Sequence, residues 1–343
     1  MATFASPELA ELVSCLQPNV IAAPAWCEIV RHGLTLEQKQ LPPWLFYDQA
    51  GSLLFEQITR LPEYYLTRVE RRIFEADAVE MVALAAGGHR LRLVELGAGS
   101  ADKTRLLLAA ATELQGTVCY QPVDVSETAL AAARERIERE LPEVIVESQV
   151  ADYTHGLELN PCSTGERRLV LFIGSSVGNF LPEDALQLLT DLHATLEPGD
   201  GLLLGVDLAP TAMHPAGKSE AALIAAYDDA QGVTGRFNKN MLLRLNREMG
   251  ADFDLEAFRH RIRWNPADSR IEMHLESTRK QSVRIPALEL DVAFARGETI
   301  HTENSYKYRL GEVEALLSAA GFVNPQRWRD QDGWFAVYLA ARG

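Results

Sequence analysis

Positive charge is in short supply in this chain. Its 343 residues hold 33 Lys and Arg against 48 Asp and Glu, a formal net charge of −15. A nucleic-acid surface neutralises phosphates with clustered cations, and no dense basic run is present, so neither DNA nor RNA is an expected partner. Cysteine is scarcer still. Cys15, Cys27, Cys119 and Cys162 form no C-x-x-C pair and are spaced too widely for a disulfide framework, which fits a reducing, cytoplasmic setting. The eight histidines contain no H-x-x-H or H-x-x-x-H pair and none sits at zinc-finger spacing from a cysteine, so no metal is expected. Long apolar runs are also missing. Nothing approaches the ~18 residues that would span a bilayer, and residues 1–20, with Glu8, Glu11 and no basic start, are not expected to act as a secretory leader.

Hydrophobic residues make up 47% of the chain, enough for a sizeable core, and the length suggests two lobes or one large domain with insertions. Residues 1–40 show weak helical periodicity broken at Pro18 and Pro24. Two helices are expected at 52–58 and 67–85, joined by the aromatic loop Leu61-Pro62-Glu63-Tyr64-Tyr65. After Gly87-Gly88 short apolar runs alternate with longer amphipathic ones. Strands are expected at 91–96, 117–123, 144–150, 169–173 and 201–206, and helices at 101–114, 127–140 and 182–195. Such alternation implies an α/β, doubly wound parallel sheet. A helix over 219–249, antiparallel strands at 258–264, 270–279 and 281–290, a helix over 310–320 and a last strand at 334–341 complete the reading. The doubly wound domain is thus interrupted after Asp207 by an insertion that joins the N-terminal helices as a second lobe.

The first strand runs into Glu95-Leu96-Gly97-Ala98-Gly99-Ser100 and then a helix. In a parallel sheet this is where ligands bind, because glycine lets a backbone approach and a helix N-terminus offers free N–H groups. A bare tight turn would give the same local pattern. Asp124 ends the second strand, where a carboxylate can accept both ribose hydroxyls, and Asp152 follows the third, where it can accept an adenine amino group. Each could instead cap a helix, as Asp124 could before Val125-Ser126-Glu127. A dinucleotide fingerprint would place a third glycine three positions after Gly99, and that position is Asp102.

The E-L-G-A-G form resembles class I S-adenosylmethionine-dependent methyltransferases. More narrowly, the chain resembles the histidine N-alpha-methyltransferases of ergothioneine biosynthesis, from about Pro42 to the C-terminus. The likeness is carried by Phe46-Tyr47-Asp48 with Leu61-Pro62-Glu63-Tyr64-Tyr65-Leu66-Thr67-Arg68, by Glu95 to Ser100 through Lys103-Thr104-Arg105, by Gly174-Ser175-Ser176-Val177-Gly178-Asn179-Phe180, and by Thr302-Glu303-Asn304-Ser305. Ala226-Tyr227-Asp228-Asp229-Ala230, Phe237-Asn238 and Arg270-Ile271-Glu272-Met273 add to it. Residues 208–219 are longer than the family pattern.

The resemblance implies a Rossmann-like core at 66–212 and 306–343 and a smaller α+β substrate lobe at 1–65 and 213–305. It implies S-adenosylmethionine as methyl donor, leaving S-adenosylhomocysteine, held by Gly97, Lys103, Asp124, Asp152 and Tyr153. It implies L-histidine as substrate, held by Tyr64, Asn179, Tyr227, Met273, Glu303, Asn304 and Ser305, with Tyr47 and Gly174 on the catalytic side. The implied product is the trimethylated amino acid hercynine, and the implied enzyme is a monomer. Glu303 accepting an imidazole N–H and Ser305 facing the other ring nitrogen would favour histidine over an apolar side chain. Against each assignment stands an ordinary role: solvated carboxylate for Glu303, solvated lysine for Lys103, core packing for Met273 and for one of Tyr64 and Tyr65. A sibling enzyme acting on a tryptophan derivative, an NAD-dependent oxidoreductase and a non-catalytic scaffold remain the alternatives.

Overall fold

The computed structural model describes residues 23–210 and 217–343. The opening segment with Glu8, Cys15 and Pro18, and residues 211–216 of the long loop, lie outside them. Helix α1 (Ala23–Thr35) leads to strand β1 (Lys39–Gln40); Asp48 then caps α2 (Gln49–Ile58) by accepting the Gly51 N–H at 2.7 Å. There follow α3 (Tyr65–Ala86), β2 (Arg90–Leu96), α4 (Thr104–Gln115), β3 (Val118–Asp124), α5 (Glu127–Glu140), β4 (Val144–Val146), β5 (Gln149–Val150), β6 (Glu166–Phe172), α6 (Pro182–Thr195) and β7 (Gly201–Asp207). Next come α7 (Glu220–Tyr227), α8 (Val233–Met249), β8 (Phe258–Asn265), β9 (Arg270–Ser277), β10 (Gln281–Ile285), β11 (Leu290–Phe294) and β12 (Thr299–Tyr306). The chain ends with α9 (Leu310–Ala319), β13 (Phe322–Arg329) and β14 (Phe335–Arg342). Among the described residues no helix is long and apolar enough to cross a membrane.

The chain divides into two compact units. The larger comprises Tyr65–Gly178, Pro182–Lys218 and Lys307–Gly343. Its sheet runs β13-β14-β7-β6-β2-β3-β4, with β5 beside β3; β4, β3, β2, β6 and β7 are parallel neighbours and β14 is antiparallel to β7. Parallel strands are covered on both faces and read as continuous apolar runs, which is why Leu202, Leu203, Leu204 and Val206 of β7 are all buried. Each such side chain contributes about 1.5–3 kcal/mol on burial. The chain moves outward from β2 through β3 to β4 and then returns to the other side of β2 as β6. That reversal is the switch point at which doubly wound sheets bind ligands, and the loops after β2 and β6 flank it.

The smaller unit comprises Met1–Tyr64, Asn179–Leu181 and Ser219–Tyr306. It holds the sheet β1-β12-β9-β8 and the separate β10-β11 hairpin. Phe46, Tyr47, Phe55 and Phe237 form an aromatic cluster where α2 meets α8, with Phe46 stacked on Phe237 at 4.5 Å.

The structure differs from the expected elements in several places. The single helix over 219–249 is two. Gly232 takes φ +67°, and the Asp229 carboxylate accepts the Val233 and Thr234 N–H groups at 2.9 and 2.7 Å, starting α8 afresh. The strand over 281–290 stops at Ile285, because Pro286 supplies no N–H, and the chain turns back as β11. The strand over 144–150 is two short pieces, and the strands β12 and β13 were not foreseen.

Candidate active site

In the larger unit the β2 loop is built around glycine. Gly97 and Gly99 adopt φ +69° and +50°, left-handed values that any Cβ would strain, and the Gly97 N–H donates to the Val123 carbonyl at 2.8 Å. The Gly99 N–H donates to Asp124 at 3.0 Å, and the other Asp124 oxygen accepts the Ser126 N–H at 2.9 Å. Ser126, not Asp124, caps α5. Asp124 is therefore held at the end of β3 by the adjacent loop, and burial pushes its carboxyl up. Asp152 accepts from the Thr154 N–H at 2.9 Å and hydroxyl at 2.6 Å, fixing the short turn that carries Tyr153. A Cβ placed on Gly97 would sit 3.7 Å from the Tyr153 hydroxyl, so these two residues share one wall. Open space next to Gly99, a glycine loop and two oriented acids after successive strands fit a nucleoside-bearing ligand.

Lys103 and Gly174 are brought together by a residue the sequence reading passed over. Glu70 of α3 is fully buried; it pairs with the Lys103 ammonium and accepts the Gly174 N–H at 2.8 Å. Its signal was present: Leu66, Ile73 and Phe74 lie three or four residues away in the buried stripe of the same helix, and a charge there is unusual. In the sequence Glu95 stands out only as the first residue of the glycine-loop motif. Buried at the end of β2, it accepts from Thr104 at 2.6 Å and from Tyr120, and burial pushes its pKa up to about 7. Asp207 closes β7 in a buried ionic cluster. It accepts from the Tyr65 hydroxyl at 2.7 Å and Lys307 at 2.8 Å and pairs with Lys218, whose ammonium burial pushes down to about 8.

In the smaller unit every residue of β12 is buried, yet it reads Thr-Ile-His-Thr-Glu-Asn-Ser-Tyr. Register places Glu303 opposite Met273 and Ser305 opposite Ile271 on one face, while Asn304 faces the other way beside Glu272. The Tyr227 hydroxyl meets the Ser305 hydroxyl at 2.8 Å, and the Tyr64 and Tyr227 rings pack edge to face at 6.1 Å. Tyr64, Tyr227, Met273, Glu303 and Ser305 are all buried, and Tyr227 and Ser305 meet directly. Tyr47 lies in the aromatic cluster, edge-on to Phe55 at 5.9 Å. Asn179 opens the three-residue segment of this unit, half-buried. Of the Tyr64-Tyr65 pair, Tyr64 thus belongs with Tyr227, and Tyr65 with Asp207 and Trp334.

Tyr227 is anchored from behind by a neutral chain. The Asn238 amide donates to the His274 carbonyl at 3.0 Å and to His260 Nδ1 at 2.9 Å, leaving His260 Nε2–H to donate to the Tyr227 carbonyl at 2.7 Å. Burial holds the His260 pKa below its ordinary value, which suits the neutral tautomer this chain requires.

Comparison with known proteins bears directly on these two sets of residues. The profile of the histidine-specific, SAM-dependent methyltransferases matches residues 27–342. The chain belongs to this family. It is 45% identical to the histidine N-alpha-methyltransferase of Mycolicibacterium smegmatis over 94% of this chain and 96% of that one. It is 44% identical to the enzyme of the same name from Mycobacterium tuberculosis over 91% and 94%. Ergothioneine biosynthesis protein 1 of Neurospora crassa is 31% identical over 84% of this chain, which spans 32% of that longer protein. As a member of the histidine-specific methyltransferases, the chain is an S-adenosylmethionine-dependent enzyme with the class I α/β fold, and the NAD-dependent reading falls.

Proposed function

We propose that this enzyme transfers three methyl groups in succession from S-adenosylmethionine to the α-amino nitrogen of L-histidine, giving hercynine for ergothioneine biosynthesis. In this reading the larger unit holds the donor and the smaller unit holds the amino acid. The names of its mycobacterial and fungal relatives support it. The observation that carries it is the polar face of β12, where a buried carboxylate, Glu303, shares its strand face with the Tyr227–Ser305 hydroxyl pair. A buried acid beside a hydroxyl matches an imidazole, which offers one N–H and one acceptor nitrogen.

When bound, S-adenosylmethionine supplies a methyl carbon activated by its sulfonium, so the protein's task is to present a neutral amine in line and exclude water. Asp124 would accept the ribose hydroxyls and Asp152 the adenine amino group, with Tyr153 beside the ring and Gly97 and Lys103 at the amino-acid end. Glu303 accepts the imidazole N–H and Ser305 serves the other ring nitrogen. Asn179 and Tyr227 donate to the α-carboxylate without adding positive charge near the sulfonium, the Tyr227 hydroxyl giving up its contact with Ser305 to do so because its one proton cannot serve both. Tyr64 and Met273 supply wall. Asn304, expected among the substrate-binding residues, lies on the opposite side of the strand beside Glu272. Gly174 lines the catalytic side, and Tyr47 or water takes the proton the amine must lose before attack. Aromatic rings tolerate the growing quaternary ammonium. The enzyme acts as a cytoplasmic monomer without nucleic acid or membrane.

Mass analysis after incubation with histidine and S-adenosylmethionine tests this. The expected product carries three methyl groups; a product that stops at one rejects successive transfer. Preferred turnover of a tryptophan derivative favours the sibling enzyme, and no turnover of any amino acid leaves the scaffold.

A further inference from the structure

Helix α3 carries a carboxylate where its packing calls for an apolar side chain. Glu70 has no exposed surface, and stripping a carboxylate of water is tolerated only when its oxygens find partners. One oxygen accepts the Gly174 N–H at 2.8 Å and the other pairs with the Lys103 ammonium. Space is reserved for it as well. A Cβ on Gly205 of β7 would lie 2.2 Å from that first oxygen, and the φ of Gly205 is not in the left-handed region, so the glycine is explained by room for Glu70 and not by its backbone. Gly174 follows β6 and Lys103 closes the loop after β2, so one carboxylate ties the two loops that flank the switch point.

We propose that Glu70 is a positioning residue for the cofactor: it fixes the β2 and β6 loops to each other and cancels the charge of Lys103 while leaving that ammonium two N–H donors. This rests on reading those loops as the S-adenosylmethionine site. Preorganised loops spare the ligand the ordering entropy of binding. A lysine whose charge is already neutralised can hydrogen-bond the methionyl carboxylate without repelling the sulfonium of the methyl donor. Glu70 therefore favours the cationic donor over its neutral product.

Titration calorimetry with S-adenosylmethionine and with S-adenosylhomocysteine, in the absence of histidine, tests this. Glu70→Gln keeps an acceptor for Gly174 but leaves Lys103 uncompensated. It is expected to weaken the donor by about tenfold or more and the product by less, so the affinity ratio shifts toward the product. The double variant Glu70→Gln/Lys103→Met removes both charges. It should restore the wild-type ratio while both ligands remain weakened, and it serves if the single variant does not fold. Gly205→Ala, which displaces the carboxylate without removing its charge, should weaken both ligands alike. A Glu70→Gln protein that folds and keeps its donor-to-product ratio within twofold of wild type overturns the proposal, as does a double variant whose ratio departs from wild type. Asp124→Asn separates this from failure of the site itself: if that variant binds both ligands as wild type does, the cofactor reading is at fault.

Discussion

Strands β7 and β12 are both buried along their whole length, one in each unit, and they are opposites in chemistry. β7 is an apolar run that keeps its one carboxylate, Asp207, for its last position, where two lysines and a tyrosine meet it. β12 carries Glu303, Asn304 and Ser305 in mid-strand. A buried polar group without a partner costs about 1–3 kcal/mol, so the two strands place that burden differently. The larger unit keeps β7 apolar, and in the proposed function it puts recognition at strand ends and loops. In the proposed function the smaller unit builds recognition into the sheet face, where side chains cannot move away from a ligand that fails to match them. The first arrangement suits a cofactor common to many reactions, and the second suits discrimination among substrates.

Glu303→Ala should break the contrast most severely. Rejection by buried, ligand-matched polar groups reaches four or more powers of ten, and loss of this one carboxylate should lower kcat/KM for histidine by about a thousandfold. Tryptophan, with one ring N–H and no second polar nitrogen for Ser305, should lose far less, if it is used at all. Equal losses for both would mean that the β12 face does not read the imidazole. Next in size is Asp124→Ala, which leaves the Gly99 N–H without its acceptor and removes the oxygens assigned to the ribose. Cofactor affinity should fall by about a hundredfold, from roughly 1.5–3 kcal/mol for a charged hydrogen bond. If discrimination is confined to β12, the relative turnover of histidine and tryptophan at saturating cofactor should stay at its wild-type value.

The same contrast explains what could be read from sequence. The β2 loop and Asp124 were legible because each follows a short apolar run, so finding the strand also locates its end. β12 was not recognised, because a strand is seen in sequence by its hydrophobic pattern and Thr302 to Ser305 have none. The break between α7 and α8 was missed because Asp229 and Gly232 interrupt a stretch that is helical on both sides. Glu70 could have been picked out from the apolar stripe it shares with Leu66, Ile73 and Phe74, whereas His260 lies on a strand that alternates with polar residues and carries no local sign of its role.

The two units should also respond to pH with opposite sign. Burial holds Glu95 of the larger unit at about 7, against 4.5 for an ordinary glutamate. Between those values the folded state keeps a proton that the unfolded chain has released, so stability falls as pH rises from 4.5 through 7. In the smaller unit, burial and then the neighbouring His274 hold His301 at about 4, against 6.5. Here the unfolded chain takes up the proton first, so stability falls as pH drops from 6.5 through 4. Each slope is at most about 1.4 kcal/mol per pH unit. In the shared window they oppose one another, and His260, also depressed by burial, adds to the histidine side, so the wild-type Tm should fall modestly on acidification. Glu95→Gln should steepen the fall of Tm on acidification, and His301→Gln should flatten it. A Glu95→Gln protein whose Tm stays level between pH 4.5 and 6.5 would contradict the assignment.

The smallest effect concerns how the substrate face is held. His260 reaches no ligand-facing atom in this reading; it donates to the Tyr227 carbonyl and is itself oriented by Asn238. His260→Ala should therefore raise KM for histidine by about tenfold, the worth of one buried hydrogen bond, while kcat and the affinity for S-adenosylhomocysteine change little. His260→Gln, whose amide keeps a donor for the carbonyl, should recover part of that loss. The dependence on pH should separate anchoring from general packing. Protonation of His260 would put a second N–H against the Asn238 amide, which already donates there, so wild-type KM for histidine should rise on acidification below the depressed pKa. His260→Gln should lose that rise, because glutamine does not titrate. A glutamine variant with the wild-type acid dependence would mean that Tyr227 is held by its ring packing on Tyr64 and its hydroxyl contact with Ser305, and that the chain from His274 through Asn238 and His260 only fills the space behind it.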